Sequence, residues 1–233
     1  DGVVSMRIGL LECDHVSARF RSITGDYAEM FAALLPGVEL VPYDVIGGQQ
    51  PGSPTECDGW LATGSRHSVY EDLEWISDTA AFVRTVATAG VPFVGVCFGH
   101  QLLAHALGGT VEKAASGWGA GIRRLDVVQT EPWMQPVQEN CHLHFMHQDQ
   151  VTRAPDGAVV LACADHCEVA MFRVGAMLGV QAHPEFTVAY AEALLTDRTE
   201  RIGGERVGEA LASLTVPTDE AVVARWVASF LAR

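Results

Sequence analysis

The stretch that decides the fold is VPFVGVCFGHQLLAHALGG, residues 91–109. Residues 91–96 form an unbroken apolar run of strand type, and from Phe98 onward the apolar spacing becomes helical. Between the two patterns stands one thiol in Gly95-Val96-Cys97-Phe98-Gly99, a G-x-C-x-G arrangement that is the cysteine counterpart of a strand–turn–helix nucleophile elbow. Such a turn strains the backbone of its central residue, so small neighbours are needed on both sides. It lifts the side chain to the carboxyl edge of the sheet, where open α/β folds bind ligands. The positive end of the following helix favours thiolate over thiol. A cysteine beside an apolar strand is otherwise a small buried hydrophobe. The coincidence of strand, paired glycines and helix start selects the nucleophile reading for Cys97.

Outward from this point, strand-like runs alternate with helical patterns, as a parallel sheet covered on both faces requires. MRIGLLE (6–12), VELVPYD (38–44) and DGWLATG (58–64) are expected strands. GDYAEMFAALLPG (25–37) and EDLEWISDTAAFVRTVATAG (71–90) are expected helices. Beyond Gly109 come short strand-like runs at 120–130, 142–148, 158–164, 168–175 and 176–183, without long helices between them. These predict antiparallel hairpins added to the sheet. Helices return at 187–200 and 218–233. No linker or repeat divides the chain, so residues 1–233 are expected to form one domain, with residues 1–5 standing ahead of a natural start at Met6.

With 15 basic and 29 acidic residues the net charge is −14, which speaks against nucleic acid or an anionic membrane as partner. No apolar segment reaches the roughly 20 residues that span a bilayer, and the start lacks the form of a signal peptide. The six cysteines follow no disulfide scaffold, and a cytoplasmic location is expected.

A thiolate nucleophile needs a base, and VQAHPEF supplies His183 after another strand-like run. Pro184 biases His183 toward extended backbone, where residues two apart point the same way, so Glu185 can lie beside it. A carboxylate there fixes the imidazole tautomer and stabilises the imidazolium.

GVCFGHQ with a later HPEF resembles the class I, triad-type glutamine amidotransferases, and LATGSRHSVYE and FMHQDQV are similar to segments of stand-alone relatives of the GMP synthetase glutaminase domain. The resemblance implies an α/β fold, a three-layer flavodoxin-like sandwich with a mostly parallel central sheet and added antiparallel strands. It implies a Cys97–His183–Glu185 triad acting on the side-chain amide of glutamine. It also implies oxyanion-hole amides at Gly64 and Phe98, and substrate contact from Gln101. The segment Met146, His147, Gln148 and Asp149 corresponds to a wall of the glutamine pocket. Met146 and Gln148 replace residues that are small in the synthetase domain. His147 and Asp149 either orient the pocket or are structural.

His142 and His144 share a strand face, and Cys163 and Cys167 lie four apart, but neither pair has the further ligands of a zinc site, so no metal is expected. There is no phosphate loop and no dinucleotide fingerprint, and no cofactor is expected. Two enzymatic readings stay open. One is a glutaminase that releases ammonia to a separate synthase subunit; the other is a free-standing γ-glutamyl hydrolase with the same triad. A non-catalytic regulatory or binding subunit is the third reading.

Overall fold

A computed structural model describes residues 5–233; the expectation for the residues ahead of Met6 falls, at positions 1–4, outside the described residues. The first half of the chain runs β1 (Met6–Leu11), α1 (Arg21–Thr24), α2 (Tyr27–Leu34), β2 (Val38–Tyr43), β3 (Gly59–Ala62), α3 (Glu74–Ala89), β4 (Phe93–Val96) and α4 (Phe98–Ala106). The second half runs β5 (Thr110–Lys113), β6 (Gly119–Val127), β7 (Asn140–His147), β8 (Asp149–Arg153), β9 (Val159–Ala164), β10 (Cys167–Val174) and β11 (Met177–Val180). It ends with α5 (Val188–Asp197), α6 (Thr199–Ile202), α7 (Gly204–Ser213) and α8 (Glu220–Leu231).

Nine strands form one sheet in the order β2-β1-β3-β4-β11-β10-β9-β6-β7. The block β2-β1-β3-β4-β11 is parallel. From β11 onward the pairing is antiparallel through β10, β9, β6 and β7. The central strands β1, β3 and β4 carry almost no polar residues because both of their faces are buried. Ile8, Leu10, Leu61 and Val94 pack toward α2 and α8, whereas Leu11, Trp60 and Phe93 pack toward α3 and α4. Helices on both faces make the three-layer α/β sandwich.

Local chemistry sets the element ends. Asp26 and Glu29 form a reciprocal capping box that starts α2, and Gly90 closes α3 in the left-handed region at φ +69°. The hairpins expected in the second half are present, but β11 plays two parts: it is antiparallel to β10 and parallel to β4. It therefore joins the added hairpins to the parallel core, and its end is brought level with the end of β4. Three elements give no clear sequence signal. α7 begins in Gly203-Gly204, which marks a loop, although Val207 and Ala210 bury at helical spacing. β5 and β8 pair as a separate two-stranded sheet.

Candidate active site

Cys97 directly follows β4 and caps the N-terminus of α4, at φ +52° and ψ −103°; among the described residues it is the only non-glycine with positive φ. A bend this strained persists only where the surroundings fix it. The Cys97 amide donates to the Val180 carbonyl at 2.9 Å, and the Gly99 amide donates to the Thr63 carbonyl at 3.2 Å. The flanking glycines are required sterically. A Cβ on Gly95 would lie 2.2 Å from the Gly99 carbonyl oxygen, and one on Gly99 would lie 2.5 Å from that of Ala62.

His183 lies three residues beyond β11, and its amide donates to the His144 carbonyl on β7 at 2.8 Å. The His183 Nδ1–Glu185 Oε1 distance is 2.7 Å, with the Glu185 side chain fully buried. The sequence leads to this pair by a different route. His183 itself is extended, bridged to His144, as Pro184 leads one to expect, but Pro184 and Glu185 then form a turn, and the carboxylate meets the ring from there. Phe186, to which the sequence assigns no role, stacks on the imidazole at 3.9 Å between centroids and 16° between planes. Burial pulls the His183 pKa down, but the neighbouring Cys97 sulfur and the Glu185 carboxylate outweigh it and raise it to about 10. With its pKa raised this far, the ring carries a positive charge near neutral pH and lies beside the Cys97 side chain across Gly64.

Gly64 abuts both groups: a Cβ placed there would lie 3.1 Å from His183 Cε1 and 3.7 Å from Cys97 Cβ. Neither the Gly64 nor the Phe98 amide donates to an acceptor among the described residues, and each adjoins the sulfur-bearing residue in space or in sequence.

Cys97, Gln101, Met146, His147, Gln148 and Asp149 line one cavity of about 80 Å³. The Met146 carbonyl stands 4.0 Å from Cys97 Sγ. Gln101 donates its amide to the Asp149 carbonyl at 2.8 Å and to Gln181 Oε1 at 3.1 Å. The Asp149 carboxylate accepts from the hydroxyls of Ser68 and Tyr70. His147 is buried, with Nδ1 2.9 Å from the Asp149 carbonyl and Nε2 3.2 Å from His166 Nε2. Burial and the His166 ring push its pKa down to about 3, so it braces the wall as a neutral ring. Gly119 makes room for this histidine pair, because a Cβ there would lie 2.4 Å from His166 Nε2.

The structure gathers Cys97, Gln101 and residues 146–149 around one cavity and sets His183 beside Cys97 across Gly64, whereas Gly64, Phe98, His183 and Glu185 are not in the lining of that cavity. The sequence reading misses the cations of the same cavity: Lys113, Arg198 and Arg201, together with Arg66, which pairs with Asp14 at 2.6 Å. Lys113 is the sole lysine of the chain and is the cross-strand partner of Asp149. That rarity was the only sequence signal for it. A larger, apolar cavity of about 690 Å³ lies on the Glu185 side, beside α2 and α8. Glu185 and His144 form part of its wall, but Cys97 does not reach it. Among the described residues no group of three or more His, Cys, Asp or Glu could hold a metal ion, and no helix is long and apolar enough to cross a membrane.

A thiol on a strand–turn–helix elbow, with a carboxylate-backed imidazole delivered by the neighbouring parallel strand, defines a class of α/β proteins. Residues 20–199 match the glutamine amidotransferase class-I family model, and the chain belongs to that family. It is 28% identical over 172 residues to gamma-glutamyl peptidase 4 of Arabidopsis thaliana, covering 70% of this chain and 68% of the relative. It is also 28% identical over 186 residues to a subunit of the glutamine-hydrolyzing GMP synthase of Saccharolobus solfataricus, covering 77% and 89% of the two chains. The crystal structure of a glutamine amidotransferase from Thermotoga maritima superposes with a TM-score of 0.74 at 17% identity over 98% of this chain and 96% of that one, a likeness of fold.

Proposed function

We propose that this chain hydrolyses γ-glutamyl amide bonds through a thioester on Cys97, with His183 as acid and base and Glu185 as its orienting carboxylate. The observation that carries the reading is the meeting of the three groups. The elbow cysteine and the imidazole both border Gly64, and the imidazole is held 2.7 Å from a fully buried carboxylate. The Cys97 sulfur attacks the γ-carbonyl, and the oxyanion forms against the free amides of Gly64 and Phe98. Each such donor contributes about 3 kcal/mol of transition-state stabilisation in enzymes of this kind. His183 gives its proton to the departing nitrogen as the C–N bond breaks, leaving the γ-glutamyl thioester. The now neutral ring takes a proton from water, and the hydroxide equivalent displaces the sulfur to release glutamate. Phe186 holds the ring plane throughout.

With glutamine the departing group is ammonia, which a separate synthase would use; with a γ-glutamyl peptide it is an amine, and no synthase is needed. One domain suffices for either reaction. The six cysteines are all free, which supports a reducing, cytoplasmic setting. The test is a release assay on glutamine and on γ-glutamyl peptides, with wild type and Cys97→Ala. The expected result is hydrolysis by the wild type, falling at least about 1,000-fold in the variant. Unchanged hydrolysis in folded Cys97→Ala would overturn the mechanism.

A further inference from the structure

The cations around the nucleophile are out of proportion to the chain that carries them. In a protein of net charge −14, the small cavity at Cys97 is lined by Arg66, Lys113, Arg198 and Arg201. The charge of Arg66 is met by Asp14. Lys113, Arg198 and Arg201 form no ion pair with a carboxylate among the described residues, and the one carboxylate in the lining is Asp149. Arg201 has no close ion pair, although its charge helps lower the Glu71 pKa; its guanidinium sits 5.1 Å over the Trp118 ring, and Trp118 also lines the cavity.

The cations divide by position. Lys113 stands across the β5–β8 ladder from Asp149, so a positive and a negative side chain face the cavity together. That pair suits the α-carboxylate and α-ammonium present in every γ-glutamyl compound. Arg198 and Arg201 occupy a different place, on the wall shared with a second cavity of about 390 Å³. The acids of that second cavity are Asp14, Asp197 and Glu200. Asp14 is paired with Arg66 and Asp197 with Arg19 at 2.6 Å. A cavity of about 80 Å³ holds only a small group, and Arg66, Arg198 and Arg201 line both cavities.

We infer that the leaving group of the preferred substrate carries a carboxylate, bound by Arg198 and Arg201 where the two cavities meet, so that the substrate is a γ-glutamyl peptide in preference to glutamine. This rests on the γ-glutamyl chemistry proposed for Cys97. The arginines take no part in bond making or breaking. They bind the amino acid or peptide that departs when the C–N bond breaks and His183 protonates its nitrogen. Both are partly or fully exposed, so their effect is of the size of surface ion pairs and is screened by salt.

The probe pair is γ-glutamyl-glycine and γ-glutamyl-glycinamide, which differ only in the charge of the leaving group; glutamine serves as the smallest substrate. The wild type is expected to favour the glycine compound by about tenfold in kcat/KM, a ratio that falls at high salt. Arg198→Gln and Arg201→Gln are each expected to lower that ratio about threefold, and the double variant to bring it near unity. Lys113→Gln is expected to lower kcat/KM for both peptides with the ratio kept. Equal treatment of the two peptides by the wild type would overturn the inference while leaving the hydrolytic reading intact. So would arginine variants that lower both equally, since that marks α-carboxylate binding or a structural role. If the folded wild type cleaves neither peptide nor glutamine, the hydrolytic reading fails and this inference fails with it.

Discussion

Two cysteines lie on either side of the same loop and share neither environment nor chemistry. Cys13 follows β1 and Cys97 follows β4, both just past parallel strands, and they are 0% and 6% exposed. The Cys13 amide donates to the Thr63 hydroxyl oxygen at 2.9 Å, and the thiol donates to the Leu11 carbonyl, 3.6 Å away. Burial, and then the Asp14 charge, push its thiol well above the ordinary cysteine range. Cys97, beside the next residue of that loop, Gly64, has the same low exposure but a bend of positive φ that turns its sulfur toward His183 and a cavity. Low exposure alone therefore says little about a thiol. Its reactivity depends on whether a positive group and an opening face the sulfur.

Alkylation should give the largest measure of this contrast. Iodoacetamide at neutral pH is expected to modify Cys97 at least about 100-fold faster than Cys13, read by peptide mass spectrometry over time. Comparable rates would break the comparison. A glutamine-analogue chloroketone should label the same sulfur and so separate an enzyme from a binding subunit.

Next comes the carboxylate that sets the imidazolium apart. Glu185→Gln is expected to lower kcat about 100-fold or more, because the ring loses the partner that fixes its tautomer and charge. The same change alters stability against pH. The His183 pKa is raised from 6.5 to about 10, so its contribution to folding is fully present below pH 6.5 and is lost as pH rises through about 10. Chemical denaturation across that window should show the wild type losing stability relative to Glu185→Gln as pH increases. A constant difference would refute the linkage.

The smallest effect is expected at the other sulfur. Cys13→Ala removes one buried atom from a packed site and should cost about 1 kcal/mol in urea unfolding, with kcat/KM within about threefold of wild type. A large loss of activity would place Cys13 in the site.

How the two thiols come to differ was only partly visible in the sequence. The glycines flanking Cys97 are visible because the elbow is local: Gly95 and Gly99 are four residues apart, and their backbones meet. The His183–Glu185 pair is visible as a motif, and His183 is extended as expected, although the two residues after it turn. Nothing local distinguishes Arg198 or Arg201 from other helix-end arginines. They line the site because the chain from the end of α5 into α6 comes to the cavity that Met146 and His147 of β7 also line, about 50 residues away in sequence. α7 is obscured by its glycine start, and β5 and β8 by their polar, partly exposed sequences, TVEK and DQVTR.

The sequence by itself determined the α/β alternation, the strained thiol and the His-x-Glu partner, because each depends on hydrophobic period, glycine sterics and turn chemistry within a few residues. Tertiary structure alone decided that β11 pairs parallel to β4, and with it that imidazole and sulfur meet. It also decided that a chain rich in acids turns its only lysine and two arginines without carboxylate partners toward one cavity. Contacts between distant segments follow from how sheet and helices pack, and no short window of sequence records that packing.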